Sequence, residues 1–296
     1  MNSFISLSYC ESSLVKPFSV GSGRYQVPRQ DPNLRPSLFP TNQWKARFPG
    51  AASRGGWRAK MVGPVRPRFV FFGSSIVEFS FDDGGWGAGL ANLYARRADM
   101  VLRGYGGWNS RQALRVVKEI FPVDNPIKPA LAIVYFGGND AMIPFPGSPH
   151  VPYCEFLDNM TQIALHIKGI SETTRCLFLS VPPVNSEQLH EISPGLEKLR
   201  PMENCEKYSE GTINICKQLG IKYIDLFNAI QRRPDWKNFF TDGVHFNPKG
   251  SEAVEEEILK VLKEAEWVPS LHWQSMPKEY EDIHPIRFNS AKVLLD

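Results

Sequence analysis

From Arg68 onward, apolar residues fall in two alternating rhythms. Short runs in which nearly every position is apolar give way to longer stretches in which apolar residues recur at helical spacing. Arg68–Phe72, Met100–Arg103, Ala130–Phe136, Arg175–Ser180 and Lys222–Leu226 predict five strands. Gly85–Arg97, Ser110–Phe121, Cys154–Lys168, Met202–Leu219 and Lys249–Ala265 predict helices. In the last of these, Val254, Ile258, Val261, Leu262 and Ala265 share one face. Strands that are apolar on both sides and alternate with helices argue for an α/β domain, a parallel sheet covered on both faces. Ligands of such sheets bind beyond the carboxyl ends of the strands. Glycines cluster after the first three strands, at Gly73, at Gly104, Gly106 and Gly107, and at Gly137 and Gly138, which makes those turns candidate site-builders.

Outside this region the rhythm is missing. Residues 1–60 are rich in Ser, Pro, Gly and Arg, and carry nine lysines and arginines against Glu11 and Asp31 alone. Such a segment cannot bury enough surface to offset its ordering entropy, so a disordered basic N-terminal extension is expected. Two readings stay open: a plastid-type transit peptide, or an upstream extension, since Met61 directly precedes the patterned region. The patterned domain is expected over residues 61–268 and a C-terminal extension over 269–296, packed on the domain or trailing from it. The whole chain carries a net charge of only +3, so the domain is mildly acidic and no nucleic-acid partner is indicated. No apolar stretch is long enough for a transmembrane segment. The N-terminus lacks the charged start and unbroken apolar run of a secretory signal. A cytoplasmic protein is expected, or a plastid one if residues 1–60 act as a transit peptide. The five cysteines are odd in number and form no CxxC pair, so buried free thiols are expected rather than a disulfide frame or a zinc site.

Three groups of residues carry chemistry. Ser75 follows the first strand in Phe72-Gly73-Ser74-Ser75, on a tight turn leading into a helix N-terminus. Asn139 follows the third strand in Gly137-Gly138-Asn139-Asp140, where its side-chain NH2 can donate to a developing oxyanion. Asp242 and His245 lie three apart just before the last helix, a spacing that lets a carboxylate orient an imidazole. Each alone is an ordinary cap or turn. His150, His166, His190, His272 and His284 have no comparable acid-and-turn setting and read as structural or surface residues. No HExxH, Walker A loop or GxGxxG is present, so neither a metal nor a nucleotide cofactor is indicated. The GxSxG elbow of ordinary α/β-hydrolases is missing as well.

Taken in order, these blocks resemble the GDSL, or SGNH, hydrolases, and in particular the branch that contains isoamyl-acetate-hydrolysing esterases and plant members. The resemblance runs from about Met61 to Trp273. It implies a flavodoxin-like αβα sandwich with five parallel strands in the order 2-1-3-4-5, and no cofactor. It implies Ser75 as nucleophile, Asp242 and His245 as its relay pair, and Asn139 with Gly107 of Arg103-Gly104-Tyr105-Gly106-Gly107 as oxyanion donors. The implied reaction is hydrolysis of a small-molecule carboxylic ester, with small acyl groups such as acetate favoured. The family's Asp before the nucleophile is Ser74 here, which leaves a weakly catalytic binder of acylated ligands as one alternative. An acyltransferase using the same triad is another. Loops 141–152 and 182–194, with Met142, Ile143, Phe145, Val184 and Leu189, are expected to rim the acyl pocket. The sequence leaves oligomeric state open.

Overall fold

The computed structural model describes residues 63–283. The expected N-terminal extension lies outside them, as do His284 and the rest of the C-terminus. Five strands form one parallel sheet in the order β2-β1-β3-β4-β5. They are β1 (Arg68–Gly73), β2 (Asp99–Gly104), β3 (Leu131–Tyr135), β4 (Arg175–Leu179) and β5 (Lys222–Ile224). The connections hold α1 (Ser75–Glu78), α2 (Trp86–Leu93), α3 (Ser110–Ile120), α4 (Tyr153–Lys168), α5 (Ser186–Ile192), α6 (Leu196–Leu199), α7 (Met202–Leu219) and α8 (Leu226–Gln231). The last long helix, α9 (Pro248–Glu264), follows β5 and α8. The expected sheet and strand order are borne out.

Because successive strand residues point to opposite faces, the sheet divides two apolar cores. Val70, Phe72, Ala132, Val134 and Phe178 face one core, closed by Ala113 and Val117 of α3, Phe156, Met160 and Ile163 of α4, and Tyr208 of α7. Phe69, Phe71, Leu131, Ile133 and Leu177 face the other, closed by Trp86 and Leu90 of α2 and by Val254, Ile258 and Leu262 of α9. The result is three layers, helix on sheet on helix. Residues 269–283 pack on the second core, where Leu271 and Met276 are buried and the Tyr94 hydroxyl donates to Leu271 O at 2.8 Å.

The order 2-1-3-4-5 reverses direction between β1 and β3, and that switch point opens a crevice beyond the strand ends. Register keeps those ends level: Gly73 pairs with Gly104 on one side and with Tyr135 on the other. Ser75, Gly107 and Asn139 therefore emerge at the same edge. Gly104 owes its identity to this crowding. A Cβ there would stand 2.2 Å from Glu78 N and 2.3 Å from Glu78 Cα, so α1 packs directly on the backbone of β2. The neighbour is main chain and cannot swing aside. Gly104→Ala is therefore expected to cost ~1–3 kcal/mol or more as overpacking, read by urea denaturation. A change within about 0.5 kcal/mol, the usual range for a neutral surface substitution, would contradict this contact.

Candidate active site

Ser75 is the first residue of α1. Ser74 precedes it in an extended conformation, and its carbonyl accepts from the N–H groups of Val77 at 3.0 Å and Glu78 at 2.9 Å. This turn holds the Ser75 side chain at the mouth of the sheet and its amide in the first helical turn, where no intrahelical acceptor exists. Ser74 is buried and its side chain does not cap the helix. The turn is held by backbone bonds, which explains how it forms without a carboxylate at position 74.

His245 reaches this turn from the far end of the domain. Its Nε2 lies 2.8 Å from Ser75 Oγ, and its Nδ1 lies 2.6 Å from Asp242 Oδ2. The other oxygen of Asp242 accepts from the backbone N–H groups of Val244 at 2.9 Å and His245 at 2.8 Å. A short hairpin shapes this loop. Phe240 pairs with Phe246, and Thr241 N–H donates to His245 O at 2.9 Å. The chain then enters α9 through Asn247, whose side chain accepts from Gly250 N–H at 3.1 Å, with Pro248 following at N1. Burial alone would raise the Asp242 carboxyl. The bonds from the imidazole and from the two amides outweigh it and hold the group down at about 2. With Asp242 ionised, Nδ1–H donates to it, and Nε2 is left to accept the Ser75 proton. The Phe79 ring stands edge-on to the imidazole, centroids 5.0 Å apart, and a cleft of about 310 Å³ opens beside His245, Asp242 and Phe79.

The second and third blocks meet at the same strand ends. Among the glycines, Gly104 is the packing contact described above. The Gly106 N–H donates to the Glu78 carboxylate and is thereby occupied. Gly107 adopts φ +77°, which glycine tolerates readily. Its N–H has no hydrogen-bond partner among the described residues. Asn139, 7% exposed, donates from Nδ2 to Trp108 O at 2.9 Å, which ties the two blocks together. Asp140 adds a second tie, its buried carboxylate accepting from Ser110 N–H at 3.0 and 3.2 Å at the start of α3. Burial pushes that carboxyl up to about 6, against the pull of the Ser110 bonds.

Two site residues have no place in the sequence reading. Glu78, one helical turn after Ser75, holds Gly106; the spacing Ser75-x-x-Glu78 was the available signal. Arg200 donates to Gly138 O at 2.9 Å and to Asn139 Oδ1 at 3.0 Å, and nothing local announced it. The expected rim also differs. Met142, Val184 and Leu189 are buried rather than exposed, Leu189 because residues 186–192 form α5 and turn it inward. His150 and His166 bond to the carbonyls of Asp140 and Phe121, and His190 faces Glu197. Cys176, Cys205 and Cys216 are buried free thiols, whereas Cys154 is exposed and is not a free thiol, contrary to expectation. Cys10 lies outside the described residues. No group of three or more His, Cys, Asp or Glu among the described residues could hold a metal ion, and none of their helices is long and apolar enough to cross a membrane.

The model of the GDSL-like Lipase/Acylhydrolase family matches residues 71–253, which span both halves of this constellation. The chain belongs to that family. Similar GDSL proteins include the GDSL esterase/lipase WDL1 of Oryza sativa subsp. japonica, 53% identical over 75% of this chain and 87% of that protein. The isoamyl acetate-hydrolyzing esterase of Saccharomyces cerevisiae is 30% identical over 77% of this chain and 98% of that one. A lipase/acylhydrolase from Enterococcus faecalis shares the fold, with a TM-score of 0.54 at 18% identity, covering 67% of this chain and 96% of that chain. As a GDSL family member with esterase/lipase relatives at this identity, the protein is a carboxylic ester hydrolase.

The depressed Asp242 carboxyl has a consequence for acid stability. Its folded value of about 2 lies below the ordinary 3.8, so its stabilising contribution is present above that ordinary value and is lost as pH falls through about 2. Comparing the protein with Asp242→Asn by urea unfolding cancels the other titrating groups. The stability gap between the two is expected to be widest near neutral pH and to shrink steadily below about pH 4. A gap that stays constant down to about pH 2 would contradict the depressed carboxyl.

Proposed function

We propose that the protein hydrolyses small-molecule carboxylic esters with short, acetyl-type acyl groups, using Ser75 as nucleophile and Asp242 and His245 as its relay pair. The observation that carries the reading is the unbroken hydrogen-bond chain from Ser75 Oγ through the imidazole to Asp242. His245 Nε2 takes the hydroxyl proton as Ser75 Oγ attacks the ester carbonyl. Asp242 stabilises the imidazolium that forms. The tetrahedral oxyanion is met by the Asn139 NH2 and by the N–H groups of Ser75 and Gly107, donors not fully committed elsewhere. His245 then protonates the departing alcohol, and a water, deprotonated by the same nitrogen, attacks the acyl-enzyme to release the acid.

The preference for small acyl groups is supported by the yeast relative, which is named for hydrolysis of an acetate ester.

With p-nitrophenyl acetate, butyrate, octanoate and palmitate, kcat/KM is expected to be highest for acetate and to fall with chain length. Ser75→Ala should abolish turnover with the fold intact by circular dichroism. Equal rates from Ser75→Ala and the unaltered protein would remove Ser75 from the chemistry, and a preference for palmitate would overturn the acyl assignment. Asn139→Ala should lower kcat by roughly 10²–10³-fold, the usual loss for one oxyanion donor, about 2.7–4 kcal/mol.

A further inference from the structure

Arg200 forms no direct salt bridge among the described residues, although its side chain is half-buried at the strand ends and the Asp242 carboxylate acts on its charge through space. Its two terminal nitrogens bond instead to one short segment: Nη1 donates to Gly138 O at 2.9 Å and Nη2 donates to Asn139 Oδ1 at 3.0 Å. The position is set by the chain itself. Arg200 is the C-cap of α6, and Pro201, the N-cap of α7, bars it from helical backbone; its φ and ψ are −130° and 68°.

We infer that Arg200 is a positioning residue for the oxyanion hole, which fixes the Asn139 amide in the one orientation that presents an N–H to the reacting carbonyl. The inference rests on the reading of Asn139 as an oxyanion donor. A primary amide can flip, exchanging its acceptor oxygen for its two-donor nitrogen. Guanidinium can only donate, so the atom of Asn139 that faces it is the oxygen. The Trp108 carbonyl can only accept, so the atom that faces it is the nitrogen, at 2.9 Å. A flipped amide would set donor against donor on one side and acceptor against acceptor on the other. The locked amide spends one N–H on Trp108 and keeps the second for substrate. The guanidinium also draws electron density from the Asn139 carbonyl, which strengthens its N–H as a donor where neighbouring bonds polarise one another. Without Arg200, Oδ1 becomes a buried acceptor with no partner, and the amide gains a reason to turn.

The test is a double-mutant cycle on p-nitrophenyl acetate with Arg200→Met, which keeps the stem and removes the donors, Asn139→Ala, and the two combined. Arg200→Met is expected to lower kcat by an amount between roughly tenfold and the full 10²–10³-fold loss of Asn139→Ala, with KM little changed. Arg200→Lys, which can reach one acceptor but not both in a fork, should restore part of the rate. The signature is non-additivity: in the Asn139→Ala background, Arg200→Met should cost less than about twofold. A general structural role would instead lower kcat by the same factor in both backgrounds, and that result would overturn the inference while leaving the oxyanion reading intact. An unchanged kcat in Arg200→Met would overturn it as well. If Asn139→Ala itself leaves kcat unchanged, the oxyanion reading falls and this inference with it. Should the Met variant fail to fold, the cycle runs with Arg200→Lys, whose smaller loss should likewise vanish in the Asn139→Ala background.

Discussion

Gly73 ends β1 between Gly104 of β2 and Tyr135 of β3, and this level, three-strand edge is the constraint on which the site depends. Parallel strands need crossover connections, so each must leave the sheet at the same end. At the switch point the connections part to opposite faces, and the turns after β1, β2 and β3 are forced side by side. The space is tight enough that α1 rests on the backbone of Gly104. Burial of both sheet faces makes the arrangement stiff, because shifting any one strand by a residue would turn core side chains toward the wrong layer.

On that edge, polar groups are arranged so that few are left free. Asp242 spends one oxygen on backbone amides and the other on His245, so the carboxylate that orients the ring is itself held on both sides. Glu78 occupies the Gly106 N–H, Asp140 the Ser110 N–H, and Arg200 the Asn139 oxygen. Among the described residues the N–H groups of Ser75 and Gly107 have no partner, and Asn139 keeps a second N–H beyond the one given to Trp108. In the proposed mechanism these donors need no rearrangement when charge develops on a substrate, which is the physical basis of the rate effect assigned to them there.

Much of this was legible in the chain. The strands came within two residues of their observed ends because a strand buried on both faces is nearly continuous in apolar residues, as in Leu131–Tyr135. Ser75, Asn139, Asp242 and His245 stood out by their order at successive strand ends. The short helices α1, α5, α6 and α8 did not, since four to seven residues give too few turns for a helical period to emerge. That omission misplaced Leu189, read as a pocket rim and found in the core. Arg200 was invisible for another reason. Its partner Asn139 is 61 residues away, and only the packed fold brings the two within a hydrogen bond.

In the proposed mechanism the hydroxyl of Ser75, and not that of its neighbour Ser74, is the activated nucleophile. Reacting the full chain with a fluorophosphonate and locating the adduct by peptide mass spectrometry distinguishes the two. The expected result is one adduct per chain on Ser75, retained in Ser74→Ala, and lost in His245→Ala because the proton acceptor is gone. A folded protein that never labels, or an adduct on Ser74 that survives Ser75→Ala, would contradict it.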